Sequence, residues 1–353
     1  MVLLHLQHSS PGIVDTTMNK LIVTLLALVI LYSCGNNHSP DVSGIKVNAS
    51  IARFDRDFFS ADTNHIVQSL GEVQKKYPYF FTDFIQNIVV GGSLDTMHAL
   101  PVLLNAYISN SRPLYDSVQK KFPDLGDIEE QMKKGFQHVK YYYPSYKVPR
   151  LVTYAGLIGD PSVALTKDAL AIGLQMYLGK NFSAYNTLEA IDKFPQYISR
   201  RFEPQYITVN CFQNIALDIY PEKQQGQTLI EQVIEKGKQW WLVDKFLPGT
   251  ADSLKTGFTQ AQLDWCKRNE GLIWNFIIQN NDIYTTEPST IQNFIGEAPK
   301  TDGMPDASPG NIGQWTGWQI VQKFAEKNSS LSVPQVLQTD AKKIFEETKY
   351  KPR

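Results

Sequence analysis

The chain has 353 residues, of which 42% are hydrophobic, 12% aromatic and 20% charged, a composition that indicates a folded globular protein and excludes a disordered one. Its 34 basic and 35 acidic residues are spread along the sequence and give a formal net charge of -1. Because proteins that bind nucleic acid usually present a strongly basic surface, this balance argues against a nucleic-acid partner.

A short apolar segment near the N-terminus predicts export from the cytoplasm. Lys20 precedes the apolar run Leu21–Tyr32, which is shorter than the roughly 20 residues that cross a bilayer as a helix. Residues 18–33 therefore fit a signal peptide better than a transmembrane helix. Residues 1–17 are polar and turn-rich where a signal peptide has only a short basic start, so we expect translation to begin at Met18.

The signal peptide ends in Leu31-Tyr32-Ser33-Cys34, which resembles a bacterial lipobox. In a lipobox the chain is cleaved before the cysteine, here between Ser33 and Cys34, and the cysteine carries fatty acyl chains such as palmitate. Two or more acyl chains hold a protein stably on a membrane, so the resemblance implies a lipoprotein anchored through Cys34. The alternative is a secreted protein that the ordinary signal peptidase cleaves.

Residues 34–44 are polar and rich in turn-forming residues, which predicts a tether, and residues 45–353 are predicted to form a single globular domain. No acidic run follows Cys34. In some bacteria an acidic run directly after the lipobox cysteine is associated with display on the outer surface. The sequence therefore favours a periplasm-facing protein of the cell envelope, on either the inner or the outer membrane.

The hydrophobic spacing predicts an α+β domain that is mostly helical and has a small sheet. Alternating residues predict a strand over Ile45–Asp55, and β-prone residues predict paired strands at Arg150–Gly156 and Ser162–Leu165. Asp168–Leu178 fits either a strand or a short helix. Helical spacing covers residues 63–139, with expected breaks at Gly91-Gly92, Pro101, Pro113 and Pro123.

The second half of the chain is predicted to be helical, apart from a segment rich in Gly and Pro over residues 296–313. The predicted helices are 188–199, 206–220, 227–246, 258–280, 315–327 and a short tail from Val333. The residues expected to face inward from the helix over 258–280 are Leu263, Cys266, Leu272 and Phe276.

Motifs for metal-dependent and nucleotide-dependent catalysis are missing from the sequence. Beyond Cys34 it has four histidines, none of them in an H-E-x-x-H pattern, and it lacks G-x-S-x-G, the P-loop and the dinucleotide motif. We therefore expect no metal, no cofactor and no enzymatic activity. A dispersed Ser-His-Asp triad or carboxylate pair stays open, because geometry and not sequence order defines such sites.

Three further patterns are weaker candidates for sites or modifications. The glycine-rich stretch over residues 302–317 is either a ligand loop or a connection ordered by the packing of Trp315 and Trp318. Cys211 and Cys266 are each either a buried free thiol or one half of a disulfide bridge. The candidate loop residues are Asp302, Gly310, Gly313 and Gly317. Tripeptides that resemble a bacterial O-glycosylation acceptor give Thr96, Ser117 and Ser253.

Several segments in a fixed order accompany the lipobox at Cys34. They are Arg53–Phe59, Tyr77–Phe81, Ile158–Pro161, Ala171–Gly179, Phe194–Tyr197 and Gly310–Val321. Together they cover nearly the whole chain, and in this order they resemble the gliding-motility lipoproteins called GldB.

The resemblance implies a lipid-anchored envelope protein that supports gliding motility, a process tied to a dedicated secretion apparatus, with other envelope motility and secretion proteins as partners. The family is also similar in layout to predicted zinc peptidases, whose metal helix would fall near Tyr206–Tyr220. Here that helix has Asn210, Cys211 and Gln213 but no histidine. The resemblance therefore implies a degenerate zinc-peptidase-like domain that serves as a scaffold or binding module. The alternative is an envelope hydrolase or peptidase, or a ligand-binding lipoprotein.

Overall fold

In the computed structural model, which describes residues 39–91, 99–223, 227–279 and 283–352, a four-stranded mixed sheet organises the N-terminal half of the domain. Its strands are β1 (Ile51–Arg53), β2 (Arg150–Tyr154), β3 (Val163–Leu165) and β4 (Ala169–Gly173). Their spatial order is β1-β2-β4-β3. β1, β2 and β4 run parallel, and β3 runs antiparallel to β4.

The strand pairing differs from the predicted one. β2 and β3 do not pair with each other, because β4 lies between them. β2 and β4 are almost entirely buried, which suits interior strands, whereas the short and partly exposed β3 suits an edge. Asp168–Leu178 contains both β4 and a 3₁₀ turn at Leu174–Met176. The strand predicted over Ile45–Asp55 shortens to β1, because Phe54 begins a helix.

Helices account for most of the described chain, and Asp41–Arg353 forms one compact unit. A mostly helical α+β domain with a small sheet is therefore confirmed. In the first half the helices are α1 (Phe54–Phe59), α2 (Ile66–Lys76), α3 (Phe80–Phe84, continued by a π-helical turn at Ile85–Val89), α4 (Leu100–Lys121) and α5 (Gly126–Tyr142). In the second half they are α6 (Leu188–Lys193), α7 (Gln196–Ser199), α8 (Ile207–Ile219), α9 (Leu229–Phe246), α10 (Asp252–Thr256), α11 (Gln260–Arg268), α12 (Glu270–Gln279), α13 (Pro288–Ile295), α14 (Ile312–Lys327), α15 (Val333–Gln338) and α16 (Ala341–Thr348).

The helix break predicted at Pro113 is wrong, because α4 continues through this residue. A proline inside a helix leaves the carbonyl four residues earlier without its amide partner, and here that residue is Ser109. Both Pro113 and Ser109 are exposed, so water can solvate the free carbonyl while the opposite face of α4 stays packed in the core. Pro101 lies in the first turn of α4, where it is tolerated.

Two long predicted helices are each divided in two. Pro195 separates α6 from α7, and Asn269 separates α11 from α12. The second division rotates the apolar face, so that Leu272 is 48% exposed instead of inward as predicted. Leu263 and Cys266 are buried as expected, and Phe276 is partly buried.

The helices α9 and α14 cross in close contact. Gly237 and Gly317 face each other there: a Cβ atom on Gly317 would lie 1.8 Å from the Val233 carbonyl oxygen, and one on Gly237 would lie 2.1 Å from the Gly317 carbonyl carbon. The two backbones are therefore in direct contact, which only glycine permits. Beside the crossing the Trp240 and Trp318 rings meet edge to face at 6.1 Å. α9 is buried on nearly every side as a result.

We predict that Gly317→Ala lowers the free energy of unfolding by about 1–3 kcal/mol, because the added methyl group pushes the two helices apart. Gly71→Ala in α2 is the matched control, since a Cβ atom there has no neighbouring atom within 4 Å. That control should stabilise the protein by about 0.5–1 kcal/mol through the better helix propensity of alanine. Urea unfolding followed by circular dichroism measures both. A Gly317→Ala protein as stable as the wild type would mean that the helices do not touch at this point.

Candidate functional site

The predicted anchor and one predicted acceptor lie outside the described residues. These are Ser33 and Cys34, which precede residue 39, and Thr96, which falls between residues 91 and 99. Ser117 lies on α4 and donates a hydrogen bond to the Pro113 carbonyl oxygen at 3.0 Å. Ser253 lies on α10, and both serines are partly buried. Their modification stays a prediction.

Most of the candidate ligand-loop residues lie against backbone. Gly310, Gly313 and Gly317 are buried, and a Cβ atom on Gly310 would lie 2.3 Å from the Ala298 carbonyl oxygen. Asp302 is exposed, and its amide donates to Asn293 Oδ1 at 2.9 Å. The glycines therefore allow close packing of the loop and α14. This packing fits the second interpretation of the stretch, a connection ordered by packing. A ligand at this loop stays a prediction.

A small cleft beside this loop holds an ion pair. Arg201 Nη2 lies 3.0 Å from Glu297 Oε2, and Asn311 Nδ2 donates to Glu297 Oε1 at 3.1 Å. Asn311 precedes α14 in the left-handed conformation, with φ 57°. The cleft has a volume of only ≈ 20 Å³, which is room for about one water molecule. It is too small for an organic ligand in this conformation.

The helix that would carry a zinc motif is α8, and its polar residues already have structural partners. Asn210 Nδ2 donates to the Tyr177 hydroxyl at 2.8 Å, and Gln213 Nε2 donates to the Lys255 carbonyl oxygen at 3.1 Å. Cys211 and Cys266 are both buried free thiols, so they form no bridge in this structure. Burial raises the pKa of the Cys211 thiol and raises the pKa of Cys266 to about 12. Within the described ranges no three His, Cys, Asp or Glu side chains are grouped to hold a metal ion.

The Arg53–Phe59 segment joins the sheet to the first helices. Asp55 is 1% exposed. Its Oδ2 accepts hydrogen bonds from Arg53 Nη2 and Gln119 Nε2, both at 2.7 Å. Its Oδ1 accepts from Thr153 Oγ1 at 2.6 Å and from Arg53 Nε at 3.0 Å. One buried carboxylate therefore links β1, β2 and α4, and its hydrogen bonds show a structural role.

We predict that Asp55→Ala destabilises the protein by about 3–5 kcal/mol, because it leaves Arg53, Gln119 and Thr153 without their shared acceptor. Glu72→Ala is the control, since its ion pair with Lys75 joins side chains that are 72% and 75% exposed. Removing that surface pair should change stability by less than about 1 kcal/mol. Thermal melts of the two variants measure the difference. Equal melting temperatures would contradict a structural role for Asp55.

An open groove lies over one face of the sheet, beside β3. Ala164 pairs with Ala171 across β3 and β4, so both small side chains point to the same face and leave space beside α3. The groove has a volume of ≈ 410 Å³, within the range of about 300–1,000 Å³ that is usual for ligand pockets. Its lining residues are Phe80, Asp83, Phe84, Asn87, Ile88, Tyr154, Pro161, Ala164, Leu165, Thr166, Lys167 and Ala171.

β3 is the last strand on its side of the sheet, and α8 packs against it. Gly173 N donates to Ser162 O at 2.9 Å and Thr166 N donates to Ala169 O at 2.8 Å, so these alternate residues point toward β4. By the same alternation the N–H and C=O groups of Val163 and Leu165 point away from the sheet. The opposite edge is covered, because the Ile51 amide donates to Glu129 Oε1 of α5 at 2.7 Å.

The sequence gives little advance indication of the groove. Phe80, Phe84 and Ile88 recur at a spacing of four residues, which equally predicts an ordinary core stripe. The groove depends on Ala164 and Ala171 being adjacent, and that follows from the strand order. Only the short β-prone segment Ser162–Leu165 was a usable signal.

A protein-family model described as gliding motility protein GldB matches residues 35–352. This chain belongs to the GldB family. The resemblance seen in the sequence is thereby confirmed over nearly the whole chain, and the name of the model, GldB_lipo, marks the family as lipoproteins. No curated protein and no solved structure matches the chain.

Membership of the GldB family implies a role in gliding motility and contact with other motility proteins. In the described part of this GldB chain, no helix is both long enough and apolar enough to cross a bilayer.

Proposed function

We propose that this chain is a lipid-anchored protein of the cell envelope that supports gliding motility, and the associated secretion apparatus, as a non-catalytic binding module facing the periplasm. The supporting observation is the position of the family match, which begins at residue 35, directly after the lipobox cysteine Cys34. Such a start fits a mature protein whose first residue is the acylated Cys34. Residues 34–44 are then the tether and residues 45–353 the domain.

The first test is acylation and motility together. Wild-type protein should incorporate labelled palmitate and fractionate with membranes, and Cys34→Ala should lose the label because its thiol is the acylation site. A deletion strain complemented with wild type should regain colony spreading and secretion, whereas Cys34→Ala should not. Label that persists in Cys34→Ala, or full spreading without acylation, would refute anchoring through Cys34.

The domain is proposed to be a degenerate zinc-peptidase-like fold that lacks the metal centre. Support comes from the sequence of α8, the helix on which the resemblance puts a metal motif, because it has Asn210, Cys211 and Gln213 but no histidine. Metal analysis and a peptidase assay on purified protein separate this function from an envelope peptidase. Stoichiometric zinc with turnover would reverse the conclusion.

The binding surface is proposed to be the groove beside β3, and its occupant an extended segment of a partner protein. The outward N–H and C=O groups of Val163 and Leu165 match the backbone of an added strand, and the apolar groove can take that strand's alternate side chains. Lys167 and Asp83 at the rim carry opposite charges, so the surface has no strong preference for an acidic or a basic segment.

Leu165→Pro tests this surface. It removes an amide that points away from β4, so the β3–β4 hydrogen bonds remain. We expect lost colony spreading with a melting temperature no lower than that of Leu165→Ala, which removes the same partly buried side chain. Thr166→Pro is the matched control, because it removes the amide that donates to Ala169 O at 2.8 Å and should lower stability by about 1 kcal/mol or more. Spreading is scored at equal protein levels on immunoblots. Normal spreading with Leu165→Pro would exclude strand addition at β3.

A further inference from the structure

The first described residues run along α5 and end near its C-terminus. The Ile51 amide donates to Glu129 Oε1 at 2.7 Å, and Gln137 Nε2 donates to the Ile45 carbonyl oxygen at 2.9 Å. Residues 45–51 therefore run antiparallel to α5. The Ile45 amide donates to Val42 O at 2.9 Å, so the turn at Val42 keeps the chain beside the same end of the helix.

The chain between Val42 and Cys34 is short. Eight residues separate the two positions, and at about 3.5 Å per residue an extended chain spans at most about 28 Å. A lipid on Cys34 would thus keep Val42 within about 28 Å of the bilayer, and with it the end of α5 beside which this turn lies.

The segment at that end has an unusual composition. Lys140–Lys147 contains four tyrosines and two lysines in eight residues. Lys140 Nζ donates to the carbonyl oxygens of Pro144 and, at 3.0 Å, of Tyr146, which folds the segment back over the helix end. Tyr141 lies one helical turn beyond Gln137 and is 49% exposed. Lys147 is exposed, and so is Lys46, which follows Ile45 beside α5; neither forms a salt bridge with the described residues.

The other three tyrosines of this segment are partly buried. Tyr142 and Tyr143 are partly buried, and burial raises the pKa of each to about 12. The Tyr146 hydroxyl donates to Asp218 Oδ2 at 2.9 Å. Asp41, another nearby acid, accepts from the Ser43 amide at 3.0 Å. Tyrosine is enriched where proteins meet the headgroup layer of a bilayer, and lysines beside it are attracted to anionic lipid.

We propose that the surface formed by Lys46, Tyr141 and Lys147 rests on the anionic headgroup layer of the membrane that holds the Cys34 lipid. This inference rests on the proposed anchoring. It sets the orientation of the domain: the amino-terminal end of β2, which follows this segment, faces the bilayer. The carboxyl-terminal end of β2 faces away, together with α6, whose Lys193 Nζ donates to Gly159 O at 3.2 Å. Partner proteins then approach the outward face.

Site-directed spin labelling of the full, acylated chain tests this orientation. The chain is reconstituted in vesicles of phosphatidylethanolamine and phosphatidylglycerol, and a nitroxide is attached to Tyr141→Cys or Leu188→Cys. The native Cys211 and Cys266 are buried and stay unlabelled. Leu188 on α6 is the control because it is 90% exposed and apolar, so it is the competing candidate for membrane contact.

We expect the nitroxide at position 141 to collide with a water-soluble nickel complex several-fold less often than the nitroxide at position 188, because the bilayer shields position 141 from water. Adding Lys46→Glu and Lys147→Glu should raise the collision frequency at position 141 close to the value at position 188. Lys120→Glu, an exposed change at the far end of the sheet, should leave the collision frequency at position 141 unchanged. Equal accessibility at both positions on an acylated, vesicle-bound chain would overturn this inference alone. A chain without palmitate would instead refute the anchoring on which it rests, and greater protection at position 188 would assign the membrane contact to α6.

Discussion

The contact between the backbones of α9 and α14 at Gly237 and Gly317 is the constraint on which the second half of the structure depends. With no side chains between them, the two helices approach closely enough to bury α9 on nearly every side. That burial has an electrostatic consequence. Lys238, 1% exposed, must find partners inside the protein, and it donates to Glu235 Oε1 at 2.6 Å and to Thr339 O at 2.7 Å. Desolvation lowers the pKa of Lys238, and its bond to Thr339 fixes the C-terminal helices against α9.

The first half depends on a different interaction, the buried carboxylate of Asp55. Its hydrogen bonds join β1, β2 and α4, and the aromatic residues of the same segment pack beneath them. Phe54 meets Tyr77 at 5.1 Å and Phe80 at 4.9 Å, both edge to face. Two of the segments that carry the family resemblance therefore form one structural unit. They explain how the domain holds its shape, and they leave function to surfaces elsewhere.

Two such surfaces lie on different parts of the domain, and both enter the role proposed for this GldB family protein. The surface proposed to rest on the membrane, formed by Lys46, Tyr141 and Lys147, lies near the C-terminal end of α5, on the side where the tether joins the domain. The groove lies beside the edge strand β3, and α5 lies against β1 at the other edge of the sheet. A domain held in one orientation on a bilayer presents such an edge in a constant direction, which suits a protein that assembles with others in the envelope.

The sequence by itself determined the helices that have strong periodicity, such as α8, α9 and α14, and the family, because local spacing and the order of short segments are properties of the chain. It also indicated a small sheet. The tertiary structure decided the order of the strands, the continuation of α4 through Pro113, and the exposure of Leu272. Each of these depends on which surfaces meet: two fully buried strands require neighbours on both sides, and a proline is tolerated where its free carbonyl faces water. The glycines Gly310, Gly313 and Gly317 fitted both a ligand loop and a packed connection in the sequence, and only the fold shows that backbone lies against them, since a glycine pattern does not show what approaches it.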